Sequence, residues 1–197
     1  MANRSTLFAA CEAEPPAIKG SRFPAFAISV STEEACLAFV DEVRRLHPGA
    51  RHCAWAYLLD DGGYRSSDDG EPGGSAGRPI LARIEGAELV DVCVAVVRYS
   101  SGIKLGVGGL IRAYGGSAAA VLAGAERRTI VDQVEVRIRC SFSDQALVER
   151  SFAGAVVLER SFGAEVCIRA QIPADGFEKW RAELNTKSAG RIQVETT

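Results

Sequence analysis

Residues Val90 to Tyr99 read Val-Asp-Val-Cys-Val-Ala-Val-Val-Arg-Tyr, an almost unbroken apolar run. A half-exposed strand alternates apolar with polar, whereas a strand buried on both faces does not. The run therefore predicts a strand covered on both sides. Glycine crowds the chain directly after it, in Ser100-Ser101-Gly102-Ile103-Lys104-Leu105-Gly106-Val107-Gly108-Gly109-Leu110-Ile111-Arg112-Ala113-Tyr114. A second glycine-dense stretch precedes it, Ser67-Asp68-Asp69-Gly70-Glu71-Pro72-Gly73-Gly74-Ser75-Ala76-Gly77-Arg78-Pro79. Glycine is costly to order, so such density marks backbone that turns tightly or approaches something closely. The first stretch interleaves it with acids, the second with bases and tyrosines. A plain scaffold does not need that chemistry.

The remaining pattern fills in two domains. Residues 1–20, with Pro15-Pro16, read as an N-terminal arm. Arg22 to Val30 reads as a strand. Ser31-Thr32-Glu33-Glu34 forms a capping box with Ser31 as cap, opening a helix to Leu46 that Pro48-Gly49 stops. Arg51 to Leu59 is a second strand, and Asp60-Asp61-Gly62-Gly63 a turn. Ala76 to Ile84 and Gly108 to Gly124 are predicted helices, the latter with Leu110, Tyr114, Ser117 and Val121 on one face. Polar Glu126-Arg127-Arg128 marks a boundary, giving domains at 21–127 and 128–197. The second domain reads β-α-β-β-α-β, with Pro173 opening its last helix. That order is the ferredoxin-like pattern. The fold class is α+β.

Composition narrows the function classes. With 47% hydrophobic and 24% charged residues, the 197-residue chain can bury a sizeable core. The net charge of −2 excludes a globally basic nucleic-acid binder, though not a local basic patch. The six cysteines are scattered with no C-x-x-C pair, which reads as buried thiols in a reducing compartment. No apolar stretch approaches the roughly 18 residues of a membrane span. A cytoplasmic protein without a membrane contact is expected.

The runs SDDGEPGGSAGRPI and VVRYSSGIKLGVGGLIRAYGGS, with Arg51-His52-Cys53-Ala54-Trp55-Ala56-Tyr57 upstream, resemble the signature of the YigZ/IMPACT family. The resemblance is specific over the first two thirds of the chain and pattern-level after Arg128. It implies a first domain similar to the second domain of the fifth small-subunit ribosomal protein. It implies a ferredoxin-like second domain similar to the last domain of elongation factor G. Eukaryotic relatives restrain a starvation-responsive translation pathway by competing for a ribosome-associated activator. The resemblance thus implies a non-catalytic, translation-linked regulatory or binding protein that contacts ribosome, RNA or a translation-associated protein, with no cofactor. A counterpart of the additional N-terminal domain of those relatives is not expected from this sequence.

The residues themselves leave alternatives open. Asp68, Asp69 and Glu71 stand just before a helix start, where carboxylates interact well with free amides. The same acids suit docking of a basic partner, or a weak magnesium site built from oxygen ligands. Ser75 and Arg78 complete that half as binding candidates. Gly106, Gly108 and Gly109 open a helix whose free amides can hold an anion, with Lys104 before it and Arg112 one turn inside. Neither GxxxxGK[ST] nor a G-x-G-x-x-G in strand–turn–helix order is present. Arg98, Tyr99, Lys104, Arg112 and Tyr114 combine cations for phosphates with rings for bases. Equally, Tyr114 belongs to the core and Arg98 pairs with one of the acids, which makes the two halves one internal ion-pair network. His52 is the weak catalytic candidate, a histidine beside the acidic loop. With Ser67 or Ser75 and an aspartate it sketches a triad that nothing in the spacing demands. The alternative function is therefore a metal- or His52-dependent hydrolase or phosphotransferase acting on a small substrate.

Overall fold

The structure is a computed structural model that describes residues 4–152 and 154–197. Residues 1–3 of the expected arm lie outside the described residues. Two compact units divide the chain, one ending at Ile130 and the other beginning at Val131.

The first unit contains β1 Ser5–Leu7, β2 Cys11–Ala13, β3 Ala25–Ser29, α1 Glu33–Leu46, β4 His52–Leu58, β5 Tyr64–Ser67, α2 Gly77–Gly86, β6 Val92–Arg98, α3 Val107–Ala123 and β7 Arg127–Thr129. Its main sheet runs β2-β3-β6-β4-β5 with every neighbouring pair antiparallel. The apolar run is the central strand, β6, and all of its residues are buried. Val92, Val94 and Val96 pack with Ile80, Leu81 and Ile84 of α2 and Leu110, Tyr114 and Val121 of α3. Cys93, Ala95 and Val97 face the other way, toward Cys36, Val40 and Val43 of α1. Each buried valine contributes about 1.5–3 kcal/mol relative to exposure. The expected double-sided burial thus follows from helices on both faces.

The neighbouring β4 divides its residues by size. Small Ala54 and Ala56 face the α2 and α3 side. Cys53 and the large Trp55 and Tyr57 face α1. Local signals shift by a residue or more in places. Thr32, not Ser31, caps α1, its Oγ1 accepting from Ala35 N at 3.2 Å. The polar segment Tyr64–Ser67, read only as chain after a turn, is the edge strand β5.

The described part of the N-terminal arm carries two strands. Its β2 extends the main sheet, and β1 pairs antiparallel with β7. The cause is Leu7, which is fully buried in the α2–α3 core and so draws the segment in. Because β7 spans Arg127 to Thr129, it crosses the boundary expected at 127/128.

The second unit contains β8 Gln133–Cys140, α4 Gln145–Arg150, β9 Val156–Phe162, β10 Val166–Pro173, α5 Phe177–Lys187 and β11 Gln193–Thr196. Its antiparallel sheet runs β11-β8-β10-β9, the ferredoxin-like arrangement. Alternate residues Val136, Ile138 and Cys140 of β8 and Val166, Ile168, Ala170 and Ile172 of β10 pack on Val148, Phe177 and Leu184 of the helices. Pro173 does not open a helix. It ends β10 opposite Gln133, a strand terminus where its missing N–H is tolerated, and α5 begins after Gly176 at φ 82°. Among the described residues, no helix is long and apolar enough to cross a membrane.

Candidate functional site

The loop between β5 and α2 folds back on the chain and separates its three acids. Asp68 turns toward the start of α2. Its Oδ2 accepts from Gly74 N at 2.7 Å, and its Oδ1 accepts from Ala76 N and Gly77 N at 2.9 Å each. The residue before α2, Ala76, has no side chain to cap it, so Asp68 supplies the cap from a distance. Burial pushes the Asp68 carboxyl up. The Gly74, Gly77 and Ala76 amides outweigh burial, with help from the Arg78 charge, and hold it below the usual aspartate value.

Asp69 adopts φ +45° and points to the opposite side of the loop. Its Oδ1 accepts from Arg44 Nη2 at 2.7 Å, and its Oδ2 from Cys53 N at 2.7 Å. Its carbonyl accepts from His52 Nδ1 at 2.7 Å. A carbonyl oxygen can only accept, so Nδ1 carries the proton.

Glu71 is the acid that goes inside, with a side chain 3% exposed. Arg98 Nη1 donates to its Oε1 at 2.7 Å and to its Oε2 at 3.0 Å. Tyr114 Oη donates to Oε1 at 2.8 Å. The two glycine-rich halves of the signature therefore meet at one buried carboxylate. Phe23 closes the group, its ring edge-on to Tyr114 at 5.2 Å and beneath the Arg98 guanidinium at 5.8 Å. Burial, and then the Glu71 carboxylate, push the Tyr114 phenol far above its ordinary pKa. Tyr114 thus stays a neutral donor. Arg98 Nε, also buried, has no hydrogen-bond partner among the described residues.

This geometry ties the two halves of the signature together through the buried Glu71. Glu71 already takes three donor contacts and is neutralised by Arg98. His52 Nε2 lies 3.9 Å from Glu71 Oε1, too long for a hydrogen bond. Ser75 is fully buried and its Oγ donates to the Pro72 carbonyl at 2.6 Å. Ser67 Oγ accepts from Asp69 N at 3.2 Å. Neither serine bonds His52, so the sketched triad does not assemble. Burial raises the Cys53 thiol to about 11, which leaves it a packed thiol. The acids do not share a metal position, since each carboxylate is spent on different partners. Among the described residues no three His, Cys, Asp or Glu side chains gather as a metal site.

Two further candidates leave the surface. Arg98 and Tyr114 are buried, so neither can meet an RNA base or phosphate. Tyr99 is half-buried; its hydroxyl is 2.7 Å from His47 Nδ1, and the Arg22 guanidinium lies 5.3 Å from its ring centre. The exposed members are Arg78, Lys104 and Arg112, with Gly106 and Gly108 at the start of α3. Gly106 precedes α3 at φ +73°, with no side-chain cap, and Gly109 is half-buried in the first turn. Arg112 lies back along that turn, its Nη1 3.8 Å from where a Cβ on Gly108 would sit. Sequence reasoning did not find Arg44, the partner of Asp69. It sits in the last turn of α1, and only the packing of α1 on β4 and β6 brings it to the loop.

The family model for the Impact N-terminal domain matches residues 19–122, the span that holds both halves of the signature. The chain is 34% identical over 183 residues to IMPACT family member YigZ of Escherichia coli, covering 90% of each. It is 50% identical over 127 residues to an IMPACT family member of Thermus thermophilus, covering 64% of this chain and 69% of that one. A solved structure, titled as the crystal structure of a hypothetical protein, superposes with a TM-score of 0.77 at 32% identity over 100% of this chain and 98% of the other. The segment that ties Glu71 to Arg98 and Tyr114 thus lies within a matched domain, and the chain belongs to the IMPACT family.

Proposed function

We propose that this chain is a non-catalytic, translation-linked binding protein that contacts the ribosome, RNA or a translation-associated protein in the cytoplasm. The carrying observation is the division of labour inside the signature. The groups able to do acid–base chemistry are consumed in holding Glu71, Asp68 and Asp69. Lys104 and Arg112 instead remain exposed, with no acidic partner among the described residues. Chemistry buried for stability with cations left outside suits a binder. The translation link comes from family membership, since eukaryotic relatives act on a ribosome-associated activator. The hydrolase and phosphotransferase alternative draws no support from the geometry, because His52 and the carboxylates do not converge within hydrogen-bond reach.

Sedimentation with purified ribosomes, and separately with total RNA, at low and moderate salt tests this role. The Lys104→Ala/Arg112→Ala variant is run alongside. Arg98 is left intact, because its removal would attack the fold. Salt-sensitive co-sedimentation that the variant loses is the expected result. No association under any condition would defeat the ribosome and RNA contacts.

A further inference from the structure

We propose that the exposed first turns of α3, with the loop leading into them, dock an acidic amphipathic helix of a partner protein. This docking role rests on the non-catalytic binding reading above and narrows it to one class of partner. Ile103 is 54% exposed, Val107 52% and Ile111 42%. Val107 and Ile111 are one turn apart, so they share a face of α3. Scattered apolar side chains on a surface need no explanation. These cluster on one short segment, beside the exposed cations Lys104 and Arg112. No acidic residue occurs between Asp91 and Glu126, so the segment has no neutralising charge of its own.

The combination discriminates between partner classes. RNA without base readout uses aromatic platforms as well as cations. Here Tyr114 is buried and Tyr99 is held by His47 and Arg22, so the surface has cations without a stacking ring. The apolar side chains would gain nothing from a phosphate backbone. A helix with apolar residues at i, i+3, i+4 and i+7 would bury Ile103, Val107 and Ile111, and glutamates beside that stripe would meet Lys104 and Arg112. Charge complementarity then sets which amphipathic helices are accepted.

The test uses the full chain and amide-resolved NMR with three probes. These are a synthetic leucine-striped helix with glutamates on its flanks, the same peptide with lysine for glutamate, and a uridine RNA oligonucleotide. The acidic peptide is expected to shift the amides of 103–112. Ile111→Ser should weaken it by about tenfold or more. The folded Lys104→Glu/Arg112→Glu chain should lose the acidic peptide and gain the basic one. Failure of the acidic peptide to move these amides at millimolar concentration, or unchanged binding by the charge-reversed chain, would overturn the docking role. RNA shifting the same amides where the acidic peptide does not would also overturn it, while leaving the ribosome and RNA contact standing.

Discussion

At Glu71 the chain buries a carboxylate that water would otherwise solvate, and one guanidinium and one phenol offset that cost. Breaking a buried pair by removing one partner leaves the other charge uncompensated, at about 3–5 kcal/mol. Arg98→Ala should lose stability on that order at neutral pH, read by urea unfolding. A loss below about 1 kcal/mol would show that Arg98 does not compensate the buried carboxylate. Tyr114→Phe removes one hydrogen bond to a charged acceptor and should cost about 1.5–3 kcal/mol, with the fold retained. Dependence on pH is expected at Asp68. Its folded pKa is depressed, so its contribution is present above the unfolded value and is lost as pH falls through the folded one. Asp68→Asn should be destabilised at neutral pH, and the difference from the parent chain should close as pH falls below the ordinary aspartate value of 3.8.

The elements meet most tightly where the acidic loop returns to the sheet. A Cβ on Gly77 would stand 2.8 Å from the backbone N, C and O of Ser67, so α2 begins against the end of β5 with no room for a side chain. Backbone cannot swing aside as a side-chain tip can. Gly77→Ala should cost about 1–3 kcal/mol in urea midpoint measurements. Gly73→Ala, which meets nothing within 4 Å, should be near neutral. Elements set by strong local pattern were legible in the sequence. The Val90 to Tyr99 run announced the central strand, and Leu110, Tyr114, Ser117 and Val121 announced the buried side of α3. β5 was not legible, because Tyr64-Arg65-Ser66-Ser67 carries no apolar alternation and gains its order only by pairing with Trp55 to Leu58. The site was half legible for a similar reason. An ion pair between the two signature halves was one open reading, but residue types alone did not single out Glu71 from Asp68 and Asp69. That choice depends on Asp69 taking φ +45° and turning away while Glu71 turns inward.

The two compact units raise the question of where one can be cut from the other, and β7 supplies the answer. Ser5, Thr6 and Leu7 of β1 pair with Thr129, Arg128 and Arg127. Phe8 N donates to the Glu126 carbonyl at 2.9 Å, and Ile130 N to the Arg4 carbonyl at 2.8 Å. The last residues of the first unit therefore hold down its first strand, and with it the fully buried Leu7. A fragment ending at Ala125 removes every one of these partners. Leu7 can then remain buried only on a strand that has lost these bonds and keeps the one from Val90 N to the Ser5 carbonyl at 3.0 Å, a loss that is costly wherever water does not replace it. A fragment ending at Ile130 keeps them. Urea unfolding of the two fragments should show a cooperative transition for the longer one and, for the shorter, a lower midpoint with a stability loss of about 2–4 kcal/mol, or no transition, the scale of losing a buried leucine together with its strand. Equal midpoints would mean that Leu7 is held by its core contacts alone. The β1–β7 pair would then be an ornament on the first unit and not the clasp that sets where the unit ends.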